Sequence, residues 1–373
     1  MLPRDLQRRP DLYRLRGPAA LAAVASAFLL ATASPAAITV ASTGQGVVSL
    51  PAGGTGAAEL SGITYAGGDT YYAVGDNGAA AIWRLGISVD PVTGWITSAV
   101  VTGSVPAPSL GSDSEGIALA PGGAAVWVAD EVASTITALS LTTGSVVGGV
   151  SVPAIYRPTN VQDNRGLESL SFGGGSLWTA NEEALVPDGP LATTSAGSWV
   201  RLQRFGGESL SPAGQWAYLT DPLSATSPFT TATRNGVVDL VALPDGGLLA
   251  LERDFGGTIP TFRSRVYAVD FSAASDVSDL ASLTGGGFAP VSKTLLWQGS
   301  FASSNFEGIT LGPLLADGGQ SLLLISDDGS GTGGQQQNLL GLVIYGVPEP
   351  SAMVLTAAGG VLAWLIGRRR TSG

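Results

Sequence analysis

Asp113-Ser114-Glu115-Gly116-Ile117-Ala118-Leu119, followed by Val126-Trp127-Val128-Ala129-Asp130-Glu131, is the stretch on which the fold turns. It reads as acid, glycine, short apolar run, turn, second apolar run, and acid again. The phrase returns as Glu168-Ser169-Leu170 with Leu177-Trp178-Thr179-Ala180-Asn181-Glu182-Glu183. It returns once more as Phe306-Glu307-Gly308-Ile309-Thr310-Leu311 with Leu322-Leu323-Leu324-Ile325-Ser326-Asp327-Asp328. Looser copies run from Leu60-Ser61-Gly62-Ile63 to Asp76, and from Val238-Asp239-Leu240-Val241 to Leu251-Glu252-Arg253-Asp254. Self-similarity of this kind signals an array of like units.

Working outward, the apolar runs are short and are separated by turn formers such as Ala66-Gly67-Gly68-Asp69 and Pro244-Asp245-Gly246-Gly247, which is strand and hairpin patterning. Thr135–Leu141 alternates with a period of two, and the middle of the chain has no sustained helical period. Unit starts near 61, 115, 168, 239 and 307 leave room for about four strands each, as expected of propeller blades. In the second unit the strands are expected at Gly116–Leu119, Ala125–Ala129, Ser134–Leu141 and Ser145–Val152. The expectation is an all-β fold, a β-propeller of five four-stranded blades spanning 37–346. The long intervals after Glu168 and Asp239 leave room for a sixth blade. The last unit shows three clear strands, so an N-terminal strand near Val47-Val48-Ser49-Leu50 is expected to complete it and close the ring. Closure removes an exposed sheet edge. A β-sandwich would accommodate the strands but does not explain the recurring acids.

Composition narrows the chemistry. The net charge of −11 and a single lysine, Lys293, argue against a nucleic-acid partner, because phosphate backbones require Lys and Arg. With no Cys and no His, the chain has no thiolate nucleophile, disulfide, Cys/His zinc site or Ser-His-Asp triad. Carboxylates, arginines, hydroxyls and a hard metal ion remain.

The two ends read as addresses. Residues 1–36 carry a basic stretch (Arg4, Arg8, Arg9, Arg14, Arg16), an apolar run from Ala19 to Ala31 and small residues around Ala33 and Ala36. This is the layout of a secretory signal peptide cleaved near Ala33 or Ala36; an uncleaved anchor is the alternative. Residues 347–373 carry Pro348-Glu349-Pro350, a short apolar stretch to Ile366 and Arg368-Arg369-Arg370. That order resembles the PEP-CTERM sorting signal of Gram-negative bacteria. The resemblance implies transient inner-membrane retention, processing by an exosortase and delivery to the cell surface or extracellular matrix.

In a propeller, a residue at the same place in every blade recurs as a ring about the axis. Here the ring would hold Glu115, Glu168, Asp239 and Glu307, with Ser61 in the first unit. A second set closes the following strand: Asp76, Asp130, Glu131, Glu182, Glu183, Glu252, Asp254, Asp327 and Asp328. Converging carboxylates raise one another's pKa, and a hard oxygen-loving cation such as Ca²⁺ relieves the repulsion. The competing role for each acid is a turn cap, accepting backbone N–H bonds, which suits the Asp residues of the second set better than the Glu-Gly pairs. Glu115, Glu168, Glu307, Asp130 and Asp327 are the candidate metal ligands. Arg165 and Arg253 lie close to these acids in sequence and could hold a phosphate, or could equally make ion pairs between blades. The Gly-rich stretch Asp327–Gly334 precedes a strand, not a helix, and reads as a loop.

Leu60-Ser61-Gly62-Ile63, Asp113–Ala118, Asn164-Arg165-Gly166-Leu167-Glu168-Ser169-Leu170, Leu251-Glu252-Arg253 and Asn305-Phe306-Glu307-Gly308-Ile309 together resemble the phytase-like family, known as esterase-like activity of phytase. The resemblance runs from Leu60 to Tyr345. It implies a repeat domain with recurring Glu and Asp and an activity in phosphoester hydrolysis. Joined to the candidate Ca²⁺ ligands, the expectation is a Ca²⁺-dependent phosphoester hydrolase in which Glu168, Arg165 and Arg253 act on the substrate. The scarcity of cations disfavours a densely anionic substrate. A metal-dependent lactone or sugar-ester hydrolase fits the charge balance as well, and so does a non-catalytic, Ca²⁺-stabilised matrix protein.

Overall fold

The computed structural model describes residues 37–347, apart from 53, 77–78, 112, 228–229 and 257–260. The expected signal peptide lies outside the described residues, as does all of the expected sorting segment except Val347. Among the described residues no helix is long and apolar enough to cross a membrane.

The chain folds as a five-bladed β-propeller of four-stranded antiparallel sheets. Blade 1 comprises Leu60–Gly67, Thr70–Gly75, Ala81–Val89 and Ile96–Pro106. Blade 2 comprises Ser114–Leu119, Ala125–Asp130, Thr135–Ser140 and Val146–Val150, each within a few residues of expectation. Blade 3 is built from Ser171–Gly173, Ser176–Ala180, Trp199–Gly206 and Ser211–Leu219. Blade 4 is built from Arg234–Ala242, Leu248–Gly256, Thr261–Asp270 and Ser292–Phe301. Blade 5 takes Asn305–Leu314, Gln320–Asp327 and Asn338–Tyr345, and its fourth strand comes from the N-terminus.

That fourth strand is longer and more broken than expected. Thr39–Ser42 pairs with Leu342–Tyr345, and Val48–Ser49 then pairs with Asn338 and Leu339. Between them the chain leaves the sheet, and the Gln45 amide bonds the backbone of Ile96 in blade 1. The expected segment therefore supplies half of the closing strand. The room for a sixth blade goes to loops. After blade 3 there is only a small hairpin, Ala225–Ser227 with Thr230–Thr231. The segment after Asp270 crosses to the outer strand of blade 3, where the N–H groups of Val277 and Val291 bond Gln215 and Ala217. It thereby covers an edge that would otherwise invite pairing.

The core consists of apolar layers between neighbouring blades. Val74 and Ile82 meet Ile117 and Val128, and Ala129 and Ile136 meet Leu177 and Phe205. Trp178 and Leu202 meet Leu240 and Ala250, Leu251 meets Phe306 and Leu324, and Leu323 meets Ile63 and Leu85. Each inner strand touches the next around the axis, and the fifth touches the first.

Close approach at the axis explains the glycine in the recurring phrase. A Cβ on Gly62 would lie 2.2 Å from the Glu115 carbonyl oxygen, and one on Gly308 would lie 2.3 Å from that of Ser61. A Cβ on Gly116 would lie 2.6 Å from the Ser169 carbonyl carbon. In each case the obstacle is the backbone of the next blade. Farther along the same strands, hydroxyls tie the ring together. Thr64 accepts the Leu119 N–H (3.1 Å), Ser171 that of Ala242 (2.9 Å) and Thr310 that of Tyr65 (3.1 Å).

Candidate functional site

Antiparallel pairing brings the two sets of acids to one rim. Where an inner strand begins, its partner ends: Ser114 faces Asp130, Asn305 faces Asp327, Gly236 faces Arg253 and Leu167 bridges to Asn181. The rim encloses a pocket of about 180 Å³ lined by Asp76, Glu115, Glu168, Glu307 and Asp327. Arg234, Arg253, Asn164, Asn305, Gln335 and the stacked pair Phe255 and Phe262 complete it.

Two acid triads meet there. One ligand oxygen each from Glu115, Glu131 and Glu168 lies within 4.8 Å of the others, and the same holds for Asp76, Asp113 and Glu115. Glu131 and Glu168 are buried, yet one oxygen of each, Oε2, has no hydrogen-bond partner among the described residues; neither has Oδ1 of Asp76. The other Glu131 oxygen accepts the Gly166 N–H at 2.6 Å, which fixes the side chain.

Burial is the main cause of the pKa shifts at this rim, and neighbouring carboxylates add to it. Burial and then Glu307 push Glu115 well above the usual carboxylate range; burial and then Glu131 do the same to Glu168. Burial and Glu182 raise Glu131 to about 9, and burial and Asp113 raise Asp76 to about 7. Buried, converging oxygens without donors suit a hard divalent cation such as Ca²⁺, which accepts about six to eight oxygens in flexible geometry.

The cations of the rim are already partnered. Arg253 Nη2 donates to Glu182 (3.1 Å) and to Glu307 (2.8 Å), while its buried Nε has no partner among the described residues. Arg234 pairs with Glu182 and with Glu183, the latter at 2.9 Å. Burial raises Glu307 to about 8 even though Arg253 draws it down.

Of the residues expected from sequence, Glu115 and Glu168 share a triad. Glu307 and Asp327 line the same pocket outside both triads. Glu307 accepts from Arg253 and Asn305, and Asp327 caps a turn through the Gly329 N–H (2.9 Å), burial raising it to about 6. Asp130 belongs to neither triad; it accepts the Ala133 N–H at 2.6 Å as a turn cap. Arg165 does not line the pocket; it pairs with Glu183 at 2.9 Å and donates to the Asp163 carbonyl at 2.7 Å. Asp239 is locked between blades, accepting the N–H groups of Leu240 and Ile309 at 2.8 Å each.

Glu252 and Asp254 face blade 3 in a separate network with Tyr218, Asp221, Ser224, Arg265 and Lys293. Arg234 and Gln335 do not stand out in the sequence, and Asp113 opens the recurring phrase without being among the expected ligands. Arg234 opens the inner strand of blade 4 with no counterpart in the other units, and Gln335 follows the Gly-rich loop into the pocket.

No curated protein matches the chain. Similar solved structures include Kuenenia stuttgartiensis hydrazine synthase at 13% identity and TM-score 0.34, covering 73% of this chain and 58% of that one. This chain thus spans little more than half of that structure's length. A luciferin-regenerating enzyme is similar at 14% identity and TM-score 0.37, covering 80% of this chain and 95% of that one. Regucalcin of Agrobacterium tumefaciens, described as a calcium-binding protein, is similar at 12% identity and TM-score 0.34, covering 78% and 92%. The model of the family described as esterase-like activity of phytase matches residues 55–329, well over half of the sequence, and the chain belongs to that phytase-like family.

Proposed function

We propose that this phytase-like propeller is an exported, Ca²⁺-dependent phosphoester hydrolase that works at the acidic rim. The observation that carries the reading is the pair of buried glutamates, Glu131 and Glu168, each with an unpartnered oxygen, which form a triad with Glu115 at the pocket that Arg253 also lines. Glu115 and Glu168 would hold the cation, with Glu131 completing their triad. A bound divalent cation supplies neutralisation of phosphoryl oxygens. Arg253, held in place by Glu182 and Glu307, lines the same pocket and would orient the phosphoryl group. The pocket's size favours a small phosphomonoester or phosphodiester over a highly phosphorylated one.

A lactone or sugar ester is the second reading. It is favoured because both pocket arginines are already paired with Glu182, Glu183 and Glu307, which leaves little positive charge for an anion. The basic, apolar and small-residue layout of 1–36 and the Pro348-Glu349-Pro350 segment with its terminal arginines support export, exosortase processing after transient inner-membrane retention, and a place at the cell surface or in the extracellular matrix.

The test is turnover of a phosphomonoester, a phosphodiester and a lactone by the purified protein, with Ca²⁺ and with a chelator. Chelator-sensitive phosphoester turnover that Glu168→Gln abolishes is expected. Turnover of the lactone alone favours the second reading. No turnover on any substrate with Ca²⁺ bound leaves a non-catalytic matrix protein.

A further inference from the structure

We propose that the rim holds two divalent cations side by side, with Glu115 as the carboxylate they share. The inference rests on reading the rim as a cation site and extends it to stoichiometry and to the role of one residue. Glu115 belongs to both triads, the one it forms with Glu131 and Glu168 and the one it forms with Asp76 and Asp113. No other acid appears in both. A carboxylate has two oxygens and can serve two cations, and a two-metal site places its ions about 4 Å apart, a spacing one bridging carboxylate spans.

Charge argues for the second ion. The two triads contain the five carboxylates Asp76, Asp113, Glu115, Glu131 and Glu168. Among the described residues none of them makes an ion pair; Arg253 and Arg234 are committed to Glu182, Glu183 and Glu307. With all five ionised on cation binding, one divalent ion would offset two of the five charges, whereas two would offset four.

Each triad contains an unpartnered oxygen. Glu131 and Glu168 are only 1% and 8% exposed and carry an orphaned oxygen each in the first triad, and the half-buried Asp76 carries one in the second. Main-chain bonds hold the second half in place: Asp113 bridges to Asp76 across blades 1 and 2, and its carbonyl accepts the Glu131 N–H at 3.0 Å. Both halves are thus carried on one rigid stretch of rim.

The test is Ca²⁺ stoichiometry of the full chain by equilibrium dialysis and calorimetry, with Mn²⁺ as a paramagnetic substitute. Two ions per chain are expected in the unaltered protein, and the electron paramagnetic resonance spectrum of the Mn²⁺ form should show a spin-coupled pair. Asp113→Asn and Glu168→Gln should each retain one ion, and Glu115→Gln should weaken both by tenfold or more. A stoichiometry of one overturns the proposal, as does a pair of uncoupled Mn²⁺ signals. Loss of only one ion in Glu115→Gln does the same. The spectrum of the unaltered protein decides the matter even where a variant does not fold. Two coupled ions without ester turnover would refute the hydrolase reading and leave this proposal standing. Turnover with a single ion would do the reverse.

Discussion

Gly62→Ala joins the packing of the axis to the cation site in one substitution. The new Cβ would sit 2.2 Å from the Glu115 carbonyl oxygen and 3.2 Å from both the Glu115 carbonyl carbon and a Val74 methyl. An ordinary contact begins at 3.4 Å, so the backbone of Glu115 must give way by roughly 1.2 Å. Such overpacking costs about 1–3 kcal/mol, partly offset by the ~0.4–1 kcal/mol that Gly→Ala gains by restricting the unfolded chain. The net loss of up to about 2.6 kcal/mol corresponds, for a domain of roughly 300 residues, to a fall in Tm of up to about 4 °C. A misplacement of ~1 Å can cost a site a hundredfold, and a hundredfold weaker ligand stabilises by about 2.7 kcal/mol less. Calorimetry should therefore show a lower Tm in chelator and a much smaller rise on adding Ca²⁺. The control is Gly103→Ala, at a strand position where a Cβ meets nothing within 4 Å, which should hold or raise Tm. A Gly62→Ala protein that melts like the control and responds normally to Ca²⁺ refutes the reasoning.

Stability without metal should depend on pH in a defined direction. Burial raises Asp76 to about 7, Glu307 to about 8 and Glu131 to about 9, so the fold keeps protons that the unfolded chain has already released. Their contribution is complete below about pH 4 and is lost as pH rises through about 9; melting in chelator should show Tm falling over that window, and a rising Tm would contradict it. Ca²⁺ binding in the same window should release protons, detectable as a buffer-dependent heat. Arg253→Met leaves Glu182 and Glu307 buried without their shared partner and should cost about 3–5 kcal/mol in urea unfolding; adding Glu307→Gln should restore part of it. Arg201→Met breaks a fully buried pair with Asp188 (2.7 Å) and bonds to Gln215, Val277 and Leu280, so a similar loss is expected with Ca²⁺ binding unchanged.

The blades were legible because several inner strands repeat a chemical constraint. The glycine after the head in blades 1, 2 and 5 (Gly62, Gly116 and Gly308) follows from crowding at the axis, where a Cβ would meet the backbone of the next blade. The closing strand was only half legible, because Thr39–Ser42 is short and exposed and is separated from Val48–Ser49 by Gly44 and Gly46. Its place is set by the free edge of Asn338–Tyr345, which no local pattern announces. The spare length after Asp270 went to a loop held by Val277, Leu283 and Ala217, an arrangement settled by a distant strand edge. At the rim, Asp130-Glu131 shows why a pair of adjacent acids cannot be sorted from sequence. Strand alternation sends the neighbours opposite ways, Asp130 to its own turn and Glu131 towards the next blade's Gly166.

The unevenness of the ring gives the site its position. Five equivalent acids would place a cation on the axis, equally shared among blades. Ser61 removes one, its hydroxyl bonding the Ser114 carbonyl at 3.3 Å. Asp239 removes another, because two backbone N–H groups take both of its oxygens. Glu307 is drawn to Arg253, which has no equivalent in the other units. The acids free to bind a cation are then those of blades 2 and 3, joined by Asp76 after the second strand of blade 1, with Glu115 common to both triads. The same unevenness brings Arg253 into the pocket. A pocket lined by both carboxylates and a guanidinium can take a cation and an anion together, an arrangement a symmetric ring of acids could not provide.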